Sequence, residues 1–404
     1  MDRYVLLIGC FDTKGEVFAY LRTCILAKGE QVLTINTGVM DTTPDFPVDY
    51  EADVVAREAE HSIIDLRKIK DRGHAIDVMG KGAAKIVGQL VNSGKVKAVI
   101  GMGGGGGTFI VLSAMQAVPF GIPKLCLSTF AAKDLSRQIG SKDITLMASV
   151  VDIAGLNSIL APLVEQAAAA ICAMANVIPE SAKKSLGRIA VSMFGNTTAC
   201  VDRCTELLKK QGYEVFAFHA NGIGGKTMEN LIEEGCFDAV LDVTTTELAD
   251  ELCDGICSAG PDRLRAAAKS GIPQVVVPGC LDMVNFGHPD TVPVQFRNRN
   301  LYSWAPDVTL MRTNEAENKQ LGLHLAQNVN QSTGPVTVVL PLKGISQIDA
   351  AGNIFYQPQI DRVLFKTIKS SLSDSIKLIE VEAHINDTAF SALLVDCLVK
   401  MIQS

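Results

Sequence analysis

The most specific chemical signal in the sequence is a run of five glycines followed by a threonine. The run follows an apolar segment typical of a buried strand and precedes a predicted helix over residues 109–117. Glycine adopts positive φ readily, so successive amide groups can turn toward one anion, and a helix N-terminus adds partial positive charge. A tight turn would need only one or two glycines. The spacing therefore predicts a phosphate or carboxylate site made of Gly103, Gly104, Gly105, Gly106, Gly107 and Thr108.

The same segment matches the GxGxxG pattern of dinucleotide-binding folds, but not in the position where that pattern works. The fingerprint belongs after the first strand, with an acidic residue at the end of the next strand. Here the strand that follows the glycines ends in Ser128 and Thr129. Nicotinamide cofactors are therefore disfavoured, and Thr129, on the same predicted edge, joins the candidate phosphate ligands.

The loop after the first predicted strand reads FDTKGE and supplies a second candidate site. Thr13 and Lys14 could reach phosphates, while Asp12 could bind a ribose hydroxyl or hydrated Mg²⁺. The alternative is an ordinary helix start, with Asp12 or Thr13 as N-cap and Glu16 as its capping-box partner. Ligands of parallel α/β sheets bind at the carboxyl ends of the strands, where this loop and the glycines both lie.

Further polar residues follow strands in the second half of the chain. Residues 222–227, GIGGKT, resemble the end of a P-loop, but Ala220 stands where a P-loop needs glycine, which leaves a glycine-rich loop as a possible second ligand site. The other polar residues either cap helices or orient a substrate or cation; they are Thr244, Thr245, Thr246, Glu247, Asp282 and Asn285. The six histidines form no metal-binding spacing, and no catalytic residue is identified.

Strand and helix patterns alternate along most of the chain, which predicts an α/β fold with doubly wound parallel sheets. Strands are predicted at residues 4–9, 31–36, 96–101, 124–128, 144–150, 188–193, 213–218, 237–242, 274–278, 308–311, 336–341 and 376–381. Helical spacing of apolar residues is found at 17–28, 54–68, 81–92, 199–211, 314–328 and 388–402.

The order of landmarks repeats, which predicts an internal duplication. Phe11 and Phe194 each follow a strand, KAVIG at 97–101 matches DAVLD at 238–242, and Gly-Ile-Pro occurs at 121–123 and 271–273. The first half carries extra residues between these landmarks, most of them within 39–80. We predict two Rossmann-like subdomains, residues 1–182 and 183–404, with a linker within 177–187.

Composition excludes several classes of protein. A net charge of −7, without runs of like charge, disfavours a nucleic-acid partner. The first apolar run is too short for a signal peptide, and no stretch is long enough to cross a membrane. These features predict a cytoplasmic protein without a membrane partner.

Segments spread over the whole chain resemble one family. They include GCFDTKGE, GMGGGGGT, SVVDIAGLN, FHANGIGG, TTTELADEL and GIPQVVVPGCLDMVNFG. The chain resembles the family of the N-terminal ATP-binding domain of the tomato tobamovirus-resistance protein, whose bacterial members form an uncharacterised protein family. The resemblance implies two Rossmann-like subdomains, a homodimer and ATP binding, with or without Mg²⁺, at Asp12, Thr13, Lys14 and the glycine run.

Two functions follow as expectations. The first is an ATP-binding protein that holds the phosphates on the glycine segment. The alternative is a metabolic enzyme that acts on a small acid or sugar in the crevice between the subdomains, with ATP as co-substrate or regulator. In the alternative, Asp282, Asn285 and residues 244–247 would lie near the chemistry.

Overall fold

A computed structural model describes residues 3–178 and 185–404 of the chain. The chain divides into two compact units, unit 1 (Met1–Glu180) and unit 2 (Ser181–Ser404). The predicted boundary between residues 182 and 183 falls outside the described residues. Both units have the mixed α/β architecture expected of Rossmann-like domains.

Unit 1 contains a five-stranded parallel sheet in the order β2-β1-β3-β4-β5. Its strands are β1 (Tyr4–Gly9), β2 (Val32–Asn36), β3 (Val96–Gly103), β4 (Lys124–Ser128) and β5 (Ile144–Ala148). Successive side chains of β1 pack into two different hydrophobic clusters: Leu6 and Ile8 belong to one, and Val5 and Leu7 belong to the other. The sheet is therefore covered on both faces, as the nearly continuous apolar run of β1 predicts.

Seven helices are described in unit 1: α1 (Phe11–Leu26), α2 (Ala52–Glu58), α3 (Ile63–Ile69), α4 (Arg72–Asn92), α5 (Gly105–Met115), α6 (Ser136–Ile139) and α7 (Leu160–Ala175). The helix predicted over 54–68 is divided in two, with Glu60 in the left-handed conformation (φ +64°) between α2 and α3. The extra residues of the first half therefore form α2, α3 and the beginning of α4, which packs against α5.

Unit 2 contains a six-stranded parallel sheet and a separate three-stranded antiparallel sheet. Its strands are β6 (Arg188–Met193), β7 (Glu214–His219), β8 (Ala239–Thr244), β9 (Gln274–Gly279), β10 (Met283–Phe286), β11 (Leu301–Ala305), β12 (Val308–Arg312), β13 (Val336–Pro341) and β14 (Lys377–Val381). Its described α-helices are α8 (Thr198–Lys210), α9 (Ile223–Glu233), α10 (Glu247–Cys253), α11 (Arg265–Ser270), α12 (Glu315–Val329), α13 (Pro358–Ser371) and α14 (Thr388–Gln403). Over the described parts of both units, no helix is long and apolar enough to cross a membrane.

The two parallel sheets share one strand order. When the strands of each parallel sheet are numbered by themselves in chain order, both sheets run second, first, third, fourth, fifth, and the sheet of unit 2 adds β14 as a sixth strand. Phe11 and Phe194 follow the first strand of their units, and the two Gly-Ile-Pro segments precede the fourth. The landmarks of the predicted duplication therefore occupy equivalent places in the two sheets.

The predicted strand at 308–311 is not part of the parallel sheet. It is β12, the central strand of the antiparallel sheet β10-β12-β11. Leu310 and Met311 are buried there, and burial of an apolar run alone does not determine strand direction. The strands β10 and β11 were not predicted.

Candidate functional site

A cavity of about 510 Å³ lies at the carboxyl edge of the sheet in unit 1. Its walls are formed by the first turns of α1, α4 and α5, by α3 and by the loop after β2. The floor is apolar, and its side chains Leu66, Ala75, Met79 and Ile110 are all buried. Cavities of roughly 300–1,000 Å³ with apolar walls and a few polar groups are typical of small-molecule sites.

The glycine run does not have the positive-φ conformation expected for it, and only Gly106 and Gly107 line the cavity. Gly103 ends β3, Gly104 is the N-cap of α5, and the other three glycines form the first turn of that helix. None of the five has a positive φ. The expected conformation is absent because α5 begins at Gly105 rather than at residue 109, so that Gly105, Gly106 and Gly107 are helical. The site is instead a helix N-terminus without a side-chain cap, whose amide groups attract anions.

Only part of the glycine run is required by packing. A Cβ on Gly103 would lie 2.7 Å from Cα of Gly107, a backbone contact that cannot relax. A Cβ on Gly104 or on Gly107 would meet its nearest neighbours at 3.8 Å and 3.6 Å, which is ordinary contact. Neither packing nor backbone conformation therefore explains glycine at positions 104 and 107, where a methyl group would make only ordinary contacts.

Three cationic side chains line the cavity: Arg67, Lys70 and Arg72. A Cβ on Gly106 would lie 3.7 Å from a guanidinium nitrogen of Arg72, so that guanidinium lies against the first turn of α5. Nε of Arg67 donates a hydrogen bond of 2.5 Å to the carbonyl of Val39. Among the described residues, none of the three forms an ion pair with a carboxylate. The cavity therefore combines a helix N-terminus with unpaired positive charge.

Asp12 lies in the first turn of α1 and also lines the cavity. Its Oδ2 accepts a hydrogen bond of 3.0 Å from the amide of Met40, while its buried Oδ1 has no donor. The capping alternative for this loop is wrong, because α1 begins at Phe11 and its N-cap is Cys10, whose side chain accepts no hydrogen bond from the first turn of the helix. Asp12 is thus free to accept a hydrogen bond from a ligand or to contact a cation.

The remaining predicted residues are placed differently from one another. Thr13 is exposed and lines the cavity, whereas Lys14, at a non-helical position within α1, does not line it. The hydroxyl of Thr108 is buried and bonds to the carbonyl of Gly103 at 3.1 Å and to the Ser128 hydroxyl at 2.6 Å. Thr129 is half-buried, and its hydroxyl is the atom that a Cβ on Gly104 would lie nearest to, at 3.8 Å. Of the predicted residues, the cavity is lined by Asp12, Thr13, Gly106 and Gly107, and not by Lys14, Gly103, Gly104, Gly105, Thr108 or Thr129.

Sequence reasoning missed the residues that complete the cavity. The cations and most of the apolar floor come from the extra residues of the first half, which were identified as an insertion but given no role. The one feature of the sequence that could have indicated a function for these residues is that they occur in only one of the two repeats. Cys10 also lines the cavity; burial raises the pKa of its thiol, and its sulfur lies 3.6 Å from the hydroxyl of Thr37.

The corresponding edge of unit 2 is filled by the protein's own carboxylates. The amides of Gly222 and Gly225, at the start of α9, donate to Oε1 of Glu247 at 2.7 and 3.1 Å. A Cβ on Gly225 would lie 2.1 Å from Oε2 of the same side chain. The predicted second glycine-rich loop therefore binds an internal carboxylate at the place where a ligand anion would bind.

Glu247 belongs to a buried network around Arg263, whose side chain is 0% exposed. The guanidinium donates to both oxygens of Asp242 at 2.6 and 2.7 Å, to Glu247 at 2.7 Å and to Glu229 at 2.9 Å. Burial raises the pKa of Glu229 and of Glu247, although the guanidinium opposes that shift. One cation thus serves three carboxylates in the protein interior.

The other polar residues predicted near chemistry in unit 2 are also internal. The hydroxyl of Thr244 lies 2.7 Å from that of Thr197, and Nδ2 of Asn285 donates to Asp250 at 2.7 Å. Thr245 and Thr246 are likewise fully buried. Burial raises the pKa of Asp250 to about 7. Together these contacts assign the segment to the core of unit 2.

Asp282 belongs to a second network, which surrounds Arg312. The guanidinium lies 2.5 Å from Asp361 and 3.5 Å from Asp349, and the hydroxyl of Ser346 donates to Asp282 at 2.7 Å. Burial raises the pKa of Asp282 to about 6 and that of Asp349 to about 9. No group of three or more His, Cys, Asp or Glu residues within 3–178 and 185–404 could hold a metal ion.

Comparison with known proteins identifies relatives along the whole chain. Residues 3–180 match the model of the uncharacterised protein family UPF0261 N-terminal domain, and residues 187–402 match that of its C-terminal domain. A UPF0261 protein of Clostridium tetani is 41% identical over 100% of both chains. One of Rhizobium meliloti is 38% identical over 96% of each.

Similarity extends to a tomato protein. The ToMV susceptible protein tm-1(GCR26) of Solanum lycopersicum is 35% identical over 98% of this chain, which corresponds to 55% of the tomato protein. The predicted family resemblance is thereby confirmed. Among solved structures, the glycosyltransferase SnogD of Streptomyces nogalater matches with a TM-score of 0.20 and 13% identity over 69% of this chain and 82% of that one, which is too weak to bear on function.

Proposed function

This chain belongs to the UPF0261 family, and from that premise we propose that it is a cytoplasmic ATP-binding protein. ATP, with or without Mg²⁺, binds in the cavity at the carboxyl edge of unit 1. The single observation that carries this proposal is the guanidinium of Arg72 against the first turn of α5, at an apolar cavity. A helix N-terminus beside an unpaired guanidinium favours a phosphate group.

The cavity changes from cationic to apolar along one face of α4. Arg72, Ala75, Ile76 and Met79 all line it, at the i, i+3, i+4 and i+7 spacing of a single helix face. Seven residues of α-helix span about 10 Å. A ligand with a phosphate at one end and a planar apolar group at the other matches this gradient, and ATP is such a ligand.

Asp12 is the residue that would contact a ribose hydroxyl or a magnesium ion. Its Oδ1 is buried without a donor, and carboxylate oxygen is a ligand that Mg²⁺ prefers. When bound, Mg²⁺ would neutralise part of the phosphate charge.

Titration calorimetry of the full chain with ATP tests the proposal. Arg72→Ala should weaken ATP binding at least about tenfold, because a charge-assisted hydrogen bond to phosphate is lost. Arg57→Ala is the matched control, since Arg57 lies on α2 in an exposed ion pair with Asp53 and does not line the cavity. Absence of ATP binding to the unaltered chain, in buffer with and without Mg²⁺, would refute the proposal.

We also propose that the chain is a homodimer, as the family resemblance implies. Stable interfaces bury at least about 1,000 Å² of surface. Light scattering at micromolar concentration should give twice the mass of 43.1 kDa. A monomer mass under these conditions would refute the dimer but would leave the ATP proposal intact.

A further inference from the structure

Lys70 has a backbone conformation that lysine does not favour. It ends α3 with φ +54° and ψ +24°, in the left-handed region. Glycine is the usual residue at such a helix end, because any Cβ makes this conformation unfavourable. Strained residues of this kind concentrate at functional sites, where the side chain is needed.

No internal contact explains why lysine occupies this position. Lys70 is exposed, and its amide makes only a weak bond of 3.4 Å to the carbonyl of Leu66. Within the described parts of the chain, its ammonium group forms no ion pair. Lys70 does line the cavity. The contact that offsets the unfavourable backbone is therefore expected from a ligand.

The position of Lys70 in the cavity indicates which part of a ligand it contacts. Lys70 immediately precedes Asp71, the N-cap of α4, whereas the apolar residues Ala75 and Met79 lie further along that helix. Arg72 lies between them and contacts the first turn of α5. A nucleotide with its base on the apolar floor and a phosphate at Arg72 would extend its terminal phosphate toward Lys70.

We infer that Lys70 is a specificity-determining residue that contacts the terminal phosphate and makes the site prefer nucleoside triphosphates to monophosphates. The inference rests on the proposed ATP site and deepens it. Lys70 is exposed, so its contribution decreases as salt rises, because ions screen exposed charges over a Debye length of about 10 Å at 0.1 M.

Titrations of ATP and AMP into the full chain test the inference. Lys70→Gly should weaken ATP binding about tenfold, change AMP binding less than about twofold, and raise the melting temperature because the backbone strain is relieved. Lys70→Gln retains a side chain at the left-handed position and removes only the positive charge. It should show the same selective loss of ATP affinity without the gain in melting temperature.

Glu60→Gly is the matched control. Glu60 has φ +64° on the same insertion and does not line the cavity. This variant should raise the melting temperature as Lys70→Gly does, while the affinity for ATP stays within about twofold.

The outcomes separate this inference from the proposal on which it rests. If the unaltered chain binds neither nucleotide, the ATP site fails and the role of Lys70 fails with it. If the unaltered chain binds ATP and both Lys70 variants keep its ratio of ATP to AMP affinity, Lys70 is not the discriminating residue and the ATP site stands.

Discussion

The carboxyl edges of the two parallel sheets share a strand order but differ in what covers them. In unit 1 the first turn of α5 faces a cavity of about 510 Å³ lined by unpaired cations. In unit 2 the first turn of α9 is closed by the Glu247 carboxylate, which accepts hydrogen bonds from two of its amides. One edge thus has room and charge for an external anion, and the other contains an internal anion.

This difference teaches that strand order does not by itself make a ligand site. A helix N-terminus follows a strand at this edge in both units, since it results from the βαβ arrangement. The two helices are not equivalent, because α5 follows the third strand of its sheet and α9 the second; the helix in the place of α5 is α10, which begins at Glu247 itself. Whether such a helix N-terminus can bind an external anion depends on the segments around it. In unit 1 these segments are α2, α3 and the start of α4, which supply Arg67, Lys70 and Arg72. In unit 2 the amides at the start of α9 instead donate to Glu247, which is buried beside Arg263.

The largest expected effect comes from removing the cation at the closed edge. Arg263→Met leaves Asp242, Glu229 and Glu247 buried without a positive partner, and should lower the free energy of unfolding by about 3–5 kcal/mol. Denaturant unfolding of the full chain measures this change. Lys269→Met, which removes an exposed pair with Glu233, should cost less than about 1 kcal/mol. A similar small loss for Arg263→Met would contradict the internal-anion account.

Two glycines of the same run should respond in opposite ways. Gly103→Ala should destabilise the chain by about 2 kcal/mol, because its methyl group would meet the backbone of Gly107 at 2.7 Å. Gly107→Ala should keep or increase stability, since alanine favours helix by about 1 kcal/mol over glycine. It should nevertheless weaken ATP binding, because the methyl group occupies ligand space. Thermal melting and ATP titration measure both effects, and unchanged ATP affinity in Gly107→Ala would contradict the site.

The two edges should also differ in pH dependence. Burial raises the folded-state pKa of Asp349 to about 9 from an ordinary 3.8. The proton bound there stabilises unit 2 fully below the unfolded pKa, and this stabilisation is lost as pH rises through about 9. The expected slope is at most about 1.4 kcal/mol per pH unit for one proton.

Asp349→Asn tests this dependence because asparagine cannot ionise. The melting temperature of the variant minus that of the unaltered chain should be larger at pH 9 than at pH 5. Exposed Asp374→Asn serves as the control and should shift melting equally at both values. If Asp349→Asn also shifts melting equally at pH 5 and pH 9, Asp349 does not retain a proton.

The smallest expected effect concerns Lys14. Although the loop was predicted as a phosphate site, this side chain does not line the cavity. Lys14→Ala should weaken ATP binding less than about threefold, and the effect should vanish at high salt. Titration at two ionic strengths measures it. A tenfold loss would mean that the ligand extends across α1 rather than toward Lys70.

The strands of the parallel sheets were predicted well, because each is a short run of apolar and β-branched residues that can be identified locally in the sequence. The bounds of β4, β6 and β13 agree with the predicted ones, and the paired landmarks Phe11 and Phe194 identify equivalent strands. The antiparallel strands β10 and β11 were missed because they are only four and five residues long and contain a single β-branched residue, Val284.

The candidate site was predicted only in part, because its partners are distant in sequence. The glycine run has a local pattern, but exposed cations such as Arg72 look the same as those of any solvated helix. Glu247 was interpreted as part of a polar helix start, and nothing local shows that it accepts hydrogen bonds from amides 22 and 25 positions away. Only the fold brings these groups together.

Hydrogen–deuterium exchange of the full chain with and without saturating ATP tests the contrast between the two edges most directly. The account predicts slower exchange at amides 104–110 and 70–76, which surround the cavity of unit 1. Exchange at amides 222–250 of unit 2 should be unchanged, since the carboxylate of Glu247 already accepts hydrogen bonds from the amides of Gly222 and Gly225 at the start of α9. Protection by ATP at 222–250, with none at 104–110, would contradict it.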